Sequence, residues 1–215
     1  MKKIIGLAML MASGVANAGV IPFGVQNDVS FDQVSNDWGW SLCHVSNYGG
    51  SVAIADMFSS CNGDYVMLGA ALEGSDTIDT LAAALFTDVT TYTAHNVTTS
   101  SNGAEWYFNA YSMGFAGLGD AINQNTADMA GANERDRLSW HTSLVSGSWS
   151  QSSAVAPLYV HNGWRSGDNT NIYAGTGWNR LVFTFNSASV PAPAPLALFS
   201  LGLIGLAFGR KKKAK

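Results

Sequence analysis

The side chains best suited to acid–base or nucleophilic chemistry are four histidines, His44, His95, His141 and His161. Their spacing contains neither His-x-His nor His-Glu-x-x-His, patterns typical of metal sites. Residues 163–167 (GWRSG) place their serine one position too late for the elbow of a serine hydrolase. His141 is the most enzyme-like histidine, although on the polar side of a strand it is more often a cross-strand hydrogen-bonding partner. The sequence therefore identifies no catalytic residue, and we predict a protein that is not an enzyme.

The carboxylates form two pairs that are close in sequence, Asp76 with Asp79 and Glu134 with Asp136. A glycosidase needs two acids across a cleft, normally from distant segments, so this spacing does not by itself indicate one. Two oxygen-rich loops, 119–128 with Asp120 and 167–171 with Asp168, are weak calcium candidates because calcium takes hard oxygen ligands. Such loops also form because Asp and Asn side chains bond their own backbone. We predict no cofactor, with calcium as the alternative.

All seven tryptophans lie between residues 19 and 189: Trp38, Trp40, Trp106, Trp140, Trp149, Trp164 and Trp178. Alternation places Trp106, Trp140 and the strand with Phe183 and Phe185 in a core. Trp149 and Trp164 have Gly, Ser or Asn neighbours instead, where an exposed indole could stack on a sugar while Arg165 bonds its hydroxyls. Trp149, Trp164 and Arg165 are therefore candidate glycan contacts, and ordinary packing is the alternative.

The elements that position these side chains are predicted to be β-strands. Short alternating or β-branched segments recur between clusters of Gly, Asn, Ser and Asp, a pattern typical of strands. The clearest predicted strands, with period two, are 105–111, 138–144 and 180–186, and weaker ones are 52–58, 65–72, 90–98 and 158–165. Residues 77–86 fit a helix, with Leu81 and Leu85 four apart, and fit a buried strand equally well. We predict an all-β single domain over residues 19–186, a β-sandwich of jelly-roll-like form.

Cys43 and Cys61 are the only cysteines. In an oxidising compartment two thiols of one domain usually pair, so we predict a Cys43–Cys61 disulfide, worth about 3 kcal/mol in the chain-entropy model. A zinc site that includes the adjacent His44 is the alternative. Two cysteines without a second pair fall short of the ligand count of a structural zinc site.

Basic residues are concentrated at the two ends of the chain. Residues 19–189 hold four arginines, no lysine and all 15 acids, which gives this segment a formal charge of −11. A segment this acidic has no basic surface for a phosphate backbone. We therefore predict that the protein does not bind nucleic acid.

Residues 1–18 have the layout of a secretory signal peptide. Lys2 and Lys3 precede the apolar run 4–12, and Ala16 and Ala18 occupy the two small-residue positions of a cleavage site. A membrane anchor is the alternative, but this run is too short to span about 30 Å of hydrocarbon. We predict export by the secretion machinery and cleavage by signal peptidase after Ala18.

The C-terminal segment 187–215 combines a proline box, an apolar run and a basic cluster. The run covers residues 195–208; the box and the cluster are Val190, Pro191, Ala192 and Pro193, then Arg210, Lys211, Lys212 and Lys213. As a helix the run reaches about 21 Å, a marginal membrane span, and the basic cluster would stay on the cytoplasmic side.

This tripartite tail resembles the PEP-CTERM sorting signal of Gram-negative bacteria, with Ala192 in place of the usual glutamate. The resemblance implies recognition by an exosortase, a membrane protease and transpeptidase, and then release to the cell surface or into the exopolysaccharide matrix. Stretches such as 39–43 (GWSLC), 137–142 (RLSWHT) and 163–167 look like landmarks of an uncharacterised exported domain found with this tail. That second likeness implies one folded unit from about residue 24 to 186 and no site.

The leading hypothesis from the sequence is a non-enzymatic protein of the cell surface or biofilm matrix that could bind exopolysaccharide. A secreted hydrolase acting on polysaccharide is one alternative. A periplasmic protein that keeps its tail as an anchor in the inner membrane is another.

We predict that the mature protein lacks residues 1–18 and everything after the proline box. A marginal tail helix holds the chain at the membrane only until the processing enzyme acts. Intact-mass spectrometry of protein recovered from culture supernatant and from membranes measures both cleavages. Recovery only of membrane-bound chains that still carry Lys211, Lys212 and Lys213 would contradict the prediction.

Overall fold

The structure, a computed structural model, describes residues 19–129, 134–147, 155–170, 172 and 177–187. This part of the chain forms strands with two short α-helices, α1 (Ile54–Phe58) and α2 (Phe86–Thr90), and a π-helical turn at Gln33–Asp37. In chain order the strands are β1 (Gln26–Ser30), β2 (Ser41–Asn47), β3 (Ser51–Ala53), β4 (Tyr65–Leu72), β5 (Thr77–Leu85), β6 (Thr99–Ser101), β7 (Ala104–Phe108), β8 (Ser112–Gly117), β9 (Leu138–Ser143), β10 (Tyr159–Ser166), β11 (Asn169–Thr170) and β12 (Trp178–Phe185). The prediction of an all-β fold is confirmed.

The strands form two antiparallel sheets. The first has the order β1-β5-β4-β12-β2, and the second has the order β11-β10-β9-β8-β7-β6, with β3 also paired to β10. Strand β12 lies between β4 and β2, in continuous register with β4 from Trp178 opposite Leu72 to Phe185 opposite Tyr65. The last strand that the structure describes is therefore an interior strand of a sheet that also contains the first strand, β1.

A continuous core lies between the two sheets. From the first sheet it takes Val66, Leu68, Ala70, Ala82, Ala84 and Val182, and from the second it takes Trp106, Phe108, Met113, Phe115, Leu138, Trp140 and Val160. These residues alternate along their strands with residues that face outward. The two sheets therefore pack face to face, as in a sandwich.

The outer faces of both sheets are buried as well. On the first sheet, Val34 and Trp40 belong to a cluster that covers Leu181, Phe183 and Phe185. On the second sheet, a loop over residues 118–129 places Ile122 and Ala127 in one cluster with Tyr107 and Ala116. A strand that is buried on both faces has a nearly continuous apolar sequence. This explains why residues 77–86 fit both a helix and a strand: they form β5, and α2 begins at Phe86.

Four predicted strands agree with β4, β9, β10 and β12, and three predictions need correction. The strand predicted at 105–111 ends at Phe108, because the Asn109 side chain bonds the backbone N–H groups of Tyr111 and Ser112 and makes a turn. Residues 52–58 leave the strand after Ala53 and continue as α1, and residues 91–98 form no strand. In the last segment Thr93 bonds Phe108 instead, so tertiary contacts override the preference of Thr and Val for strands.

The predicted disulfide is confirmed. Cys43 lies on β2, Cys61 follows α1, and their Cα atoms are 5.3 Å apart. Strand β2 is at the edge of its sheet, paired to β12 on one side. The disulfide therefore fastens α1 to this edge strand.

None of the helices in the described part of the chain is long and apolar enough to cross a membrane. The predicted signal peptide, the proline box, the apolar run 195–208 and the basic cluster lie outside the described residues.

We expect Cys43→Ser together with Cys61→Ser to lower the free energy of unfolding by about 3 kcal/mol, because the bond closes a short loop in the unfolded chain. For a protein of this size that corresponds to a melting temperature lower by about 6–12 °C. Calorimetry on the oxidised and variant proteins measures the difference, and peptide mapping without reductant tests the linkage. Two free thiols in the native protein would refute the bond.

Glu105 on β7 is a buried carboxylate, 7% exposed, that fastens the loop over residues 118–129, here called the covering loop, to the second sheet. It accepts hydrogen bonds from the hydroxyls of Thr98 (2.8 Å) and Ser100 (2.7 Å) and from the Gly119 backbone N–H (3.1 Å). Burial by itself raises the pKa of this carboxyl, but the three hydrogen bonds to the ionised form outweigh burial and hold the pKa below its usual value. The ionised form therefore stabilises the folded state.

We predict that Glu105→Gln lowers the free energy of unfolding by about 2 kcal/mol at pH 7. Because the folded-state pKa lies below the unfolded value of about 4.3, the contribution is fully present above that value and disappears as the pH falls through the folded-state pKa. Urea unfolding between about pH 7 and pH 3 measures the difference between variant and parent, with the exposed Glu73→Gln as control. A Glu105→Gln difference that stays constant over this range would show that ionisation plays no part.

Candidate functional site

A cleft of about 510 Å³ lies where the segment after α2, the β7–β8 turn, the covering loop and β9 meet. It is lined by His95, Tyr111, Gln124, Asn125, Thr126, Asp128 and His141. Its volume is within the range of pockets that hold small ligands, and its lining combines an aromatic ring with several hydrogen-bonding groups. We refer to it as the Tyr111 cleft.

A two-residue turn in the covering loop forms one wall of the Tyr111 cleft. Gln124 and Asn125 both have positive φ angles, 52° and 67°. The flanking residues Asn123 and Thr126 exchange two backbone hydrogen bonds of 3.1 and 3.2 Å. These features define a type I′ hairpin turn, for which Asn is a preferred residue. The turn exposes the Gln124 side chain and directs Asn125 into the protein.

Three asparagines lock this turn onto the neighbouring segments. The side-chain oxygen of Asn96 accepts from the Asn125 backbone N–H at 2.6 Å, and the side-chain oxygen of Asn125 accepts from the Asn96 N–H at 2.9 Å. The Asn125 carbonyl accepts from the Asn109 amide at 2.9 Å and from the Ser112 hydroxyl at 2.8 Å. Asn125 is 2% exposed, so these bonds are made in a largely dry environment where each counts.

The floor of the Tyr111 cleft contains a carboxylate–imidazole pair. His141 on β9 places Nε2 3.3 Å from Asp128 Oδ2, and its ring stacks on Trp164 with 6.3 Å between centroids and an interplanar angle of 29°. His161 lies beside the His141 ring, with 6.4 Å between the two ring centroids, and burial lowers the pKa of His161. A carboxylate that fixes an imidazole can orient it for hydrogen bonding to a ligand hydroxyl or for proton transfer.

Arg165 and Tyr107 position the loop that carries Asp128. The Arg165 guanidinium is 1% exposed and donates to the carbonyls of Gly167 (2.7 Å), Asp128 (3.2 Å) and Glu134 (2.6 Å). The Tyr107 hydroxyl accepts from the Ala127 N–H and donates to the Leu138 carbonyl, each at 3.0 Å. Burial raises the pKa of Tyr107 to about 12, so this hydroxyl stays protonated and can donate.

The sequence grouped Trp149, Trp164 and Arg165 as glycan contacts, and the structure separates them. Trp164 is half-buried and stacked on His141, next to the Tyr111 cleft. Arg165 instead points its guanidinium at backbone carbonyls in the interior, so we assign it no ligand contact. Trp149 lies outside the described residues.

The weak calcium candidates lie in different surroundings. The Asp120 carboxylate is 3.4 Å from the Arg137 guanidinium, and both side chains are mostly buried. Asp168 is exposed at the tip of a turn, beside Asn169. Within the residues that the structure describes, no three His, Cys, Asp or Glu side chains are close enough to hold a metal.

The carboxylate pairs of the sequence do not form a joint site either. Asp79 accepts hydrogen bonds from Ser166 (2.5 Å) and Asn169 (3.2 Å), and burial raises its pKa. Asp136 accepts from the Asn27 amide at 3.0 Å. Both carboxylates therefore fasten segments of the two sheets to each other.

Sequence reasoning named His141 and Trp164 but missed His95, Tyr111, Asn109 and Asn125 as members of one site. The one available signal was the pattern Asn123-Gln124-Asn125, which is typical of a turn. Its contact with Asn96 joins positions 29 residues apart, and no local pattern predicts such a pairing.

Comparisons of the chain with protein-family models, with curated proteins and with solved structures gave no match.

Proposed function

We propose that this chain is an exported, non-enzymatic protein of the cell surface or extracellular matrix, and that it binds a neutral glycan in the Tyr111 cleft. The N-terminal signal peptide and the PEP-CTERM-like tail, processed by an exosortase, support the location. The two antiparallel sheets fit a jelly-roll-like sandwich, an architecture that presents loops and turns for binding. The cleft supports the activity.

The observation that carries the binding proposal is the half-buried Tyr111 ring among hydrogen-bonding side chains. The ring meets His95 edge to face, with 5.8 Å between centroids. Gln124, Asp128 and His141 line the same cleft. Sugars present an apolar C–H face and a rim of hydroxyls, and an aromatic face beside an amide, a carboxylate and an imidazole is complementary to both.

Charge favours a neutral ligand. The segment 19–189 carries −11, and all 15 acids of the chain are among the described residues. An acidic exopolysaccharide would meet net repulsion unless divalent ions bridged it, whereas a neutral glycan meets none.

A secreted hydrolase is the second candidate, and the Asp128–His141 pair is the observation that favours it. Hydrolysis by the usual glycosidase route needs two carboxyl groups on either side of the bond. Among the described residues that line the Tyr111 cleft, Asp128 is the one acid. The lining therefore supports binding better than hydrolysis.

We predict that Tyr111→Ala raises the dissociation constant for a neutral oligosaccharide about tenfold, or ~1.4 kcal/mol, because the stacking face is lost. Tyr111→Phe keeps that face and retains most of the affinity. Trp164→Ala also weakens binding, because His141 loses the ring against which it stacks. Calorimetric titration with hits from an array of neutral glycans measures these changes, and thermal melts check that each variant folds.

The matched control is Tyr159→Ala, a half-buried tyrosine on β10 that does not line the cleft. Binding should also persist in about 1 M NaCl, where the Debye length is about 3 Å. If a chelator abolishes binding and Trp164→Ala does not change it, glycan binding depends on calcium held by the loop of Asp120 or Asp168. The binding proposal fails if no array glycan is retained, and turnover of a bound glycan that Asp128→Asn abolishes would establish the hydrolase.

A further inference from the structure

The Tyr111 cleft continues into a second compartment. This neighbouring space has a volume of about 380 Å³ and shares His95, Tyr111 and Asn125 with the first. Its remaining walls are Tyr92, Thr93, Ala94, Asn109 and Ala110. The three shared residues form a common border, so one ligand can occupy both compartments.

The side chains of Thr93 and Asn109 in the walls of the second compartment are already hydrogen-bonded within the protein. Thr93 Oγ1 accepts from the Phe108 N–H and donates to the Phe108 carbonyl, each at 3.3 Å. The Asn109 amide donates to the Asn125 carbonyl, and its oxygen accepts two backbone N–H groups. What these walls offer a ligand is therefore methyl and ring surface, from Thr93, Ala94, Ala110 and Tyr92.

The first compartment has the opposite character. The Gln124 side chain is exposed and makes no hydrogen bond within the part of the chain that the structure describes. Asp128 and His141 add a carboxylate and an imidazole. One end of the double cleft thus suits hydroxyl groups, and the other suits a small apolar group.

From this contrast we infer that the second compartment is a subsite for a sugar that carries an acetamido group. The inference rests on the proposed glycan binding and names the ligand class. The first sugar lies against Gln124 and Asp128, and the acetamido methyl of the next sugar packs on Ala94, Ala110 and Tyr92. The polar atoms of the acetamido group face the shared border, where the Tyr111 hydroxyl and the His95 ring can bond them. An apolar wall discriminates such a group from a hydroxyl because the methyl gains burial and the hydroxyl loses water.

The test compares N,N′-diacetylchitobiose with cellobiose, two β-1,4-linked disaccharides that differ in having acetamido groups or hydroxyls at C2. Calorimetric titration of the processed protein should give about tenfold tighter binding of the diacetylated disaccharide. Ala94→Leu, which fills the second compartment from an exposed position, should weaken the diacetylated disaccharide more than cellobiose and so reduce this preference. Gln124→Ala should weaken both disaccharides by the same factor.

Saturation-transfer NMR on the unaltered protein provides a readout that needs no variant. The acetyl methyl protons should receive the strongest saturation of the ligand. Equal affinity for the two disaccharides, or weak saturation of the methyl, overturns the acetamido subsite while glycan binding stands. Binding of other array glycans through Tyr111 without either disaccharide overturns it too. If no glycan binds at all, the proposed function itself has failed.

Discussion

The buried guanidinium of Arg180 is the interaction on which the two-sheet arrangement depends. It donates to the carbonyls of Asn47, Tyr48 and Gly50 and to that of Asn162 in the second sheet, and it lies 5.9 Å from the Tyr48 ring centroid. Among the described residues no carboxylate pairs with it. Burial lowers its pKa to about 10, so it stays charged at neutral pH and the carbonyls must compensate the charge. Lysine, with three donors and no planar fork, could not make this set of bonds.

The surroundings of Arg180 explain why the second sheet is irregular beside it. Asn162, whose carbonyl Arg180 binds, has a φ of 54°, and the β9–β10 register shifts at this point. The next residue, Gly163, faces the Tyr48 ring so closely that a Cβ there would overlap it. The Trp140 indole donates to the Tyr48 hydroxyl at 2.9 Å. This bulge re-aims the following residues, so Trp164 reaches His141 while Arg165 reaches the loop of Asp128. The arginine that joins the sheets thus also shapes the floor of the Tyr111 cleft.

How much of this the sequence could predict follows from which forces are local. Alternation and apolar runs located β4, β9, β10 and β12, because burial acts on each strand separately. Residues 77–86 were ambiguous since both faces of β5 are buried, which removes the alternation. The sequence predicts Arg165 as a ligand contact, but its guanidinium points inward. A bulge in β10 and the carbonyls of Asp128 and Glu134 decide that direction, and all of these are non-local. The Tyr111 cleft was missed for the same reason, since the bonds between Asn96, Asn109 and Asn125 join segments that no periodicity connects.

The low share of charged residues in the chain fits this architecture as well. With 12% charged residues, the chain has few charged side chains for a solvent-facing sheet surface, and it covers both outer faces of its sheets with its own loops. Loops that cover sheets carry backbone groups that must be satisfied, which explains why Asn, Thr and Ser side chains so often bond backbone here. The same asparagines then form walls of the Tyr111 cleft and hold its hairpin turn in place by amide hydrogen bonds. For the glycan binding proposed above, a site built from amides, hydroxyls and rings on a segment of charge −11 favours neutral ligands that it recognises by shape and hydrogen bonding. The net field repels anions, and among the described residues that line the cleft Asp128 is the one carboxylate.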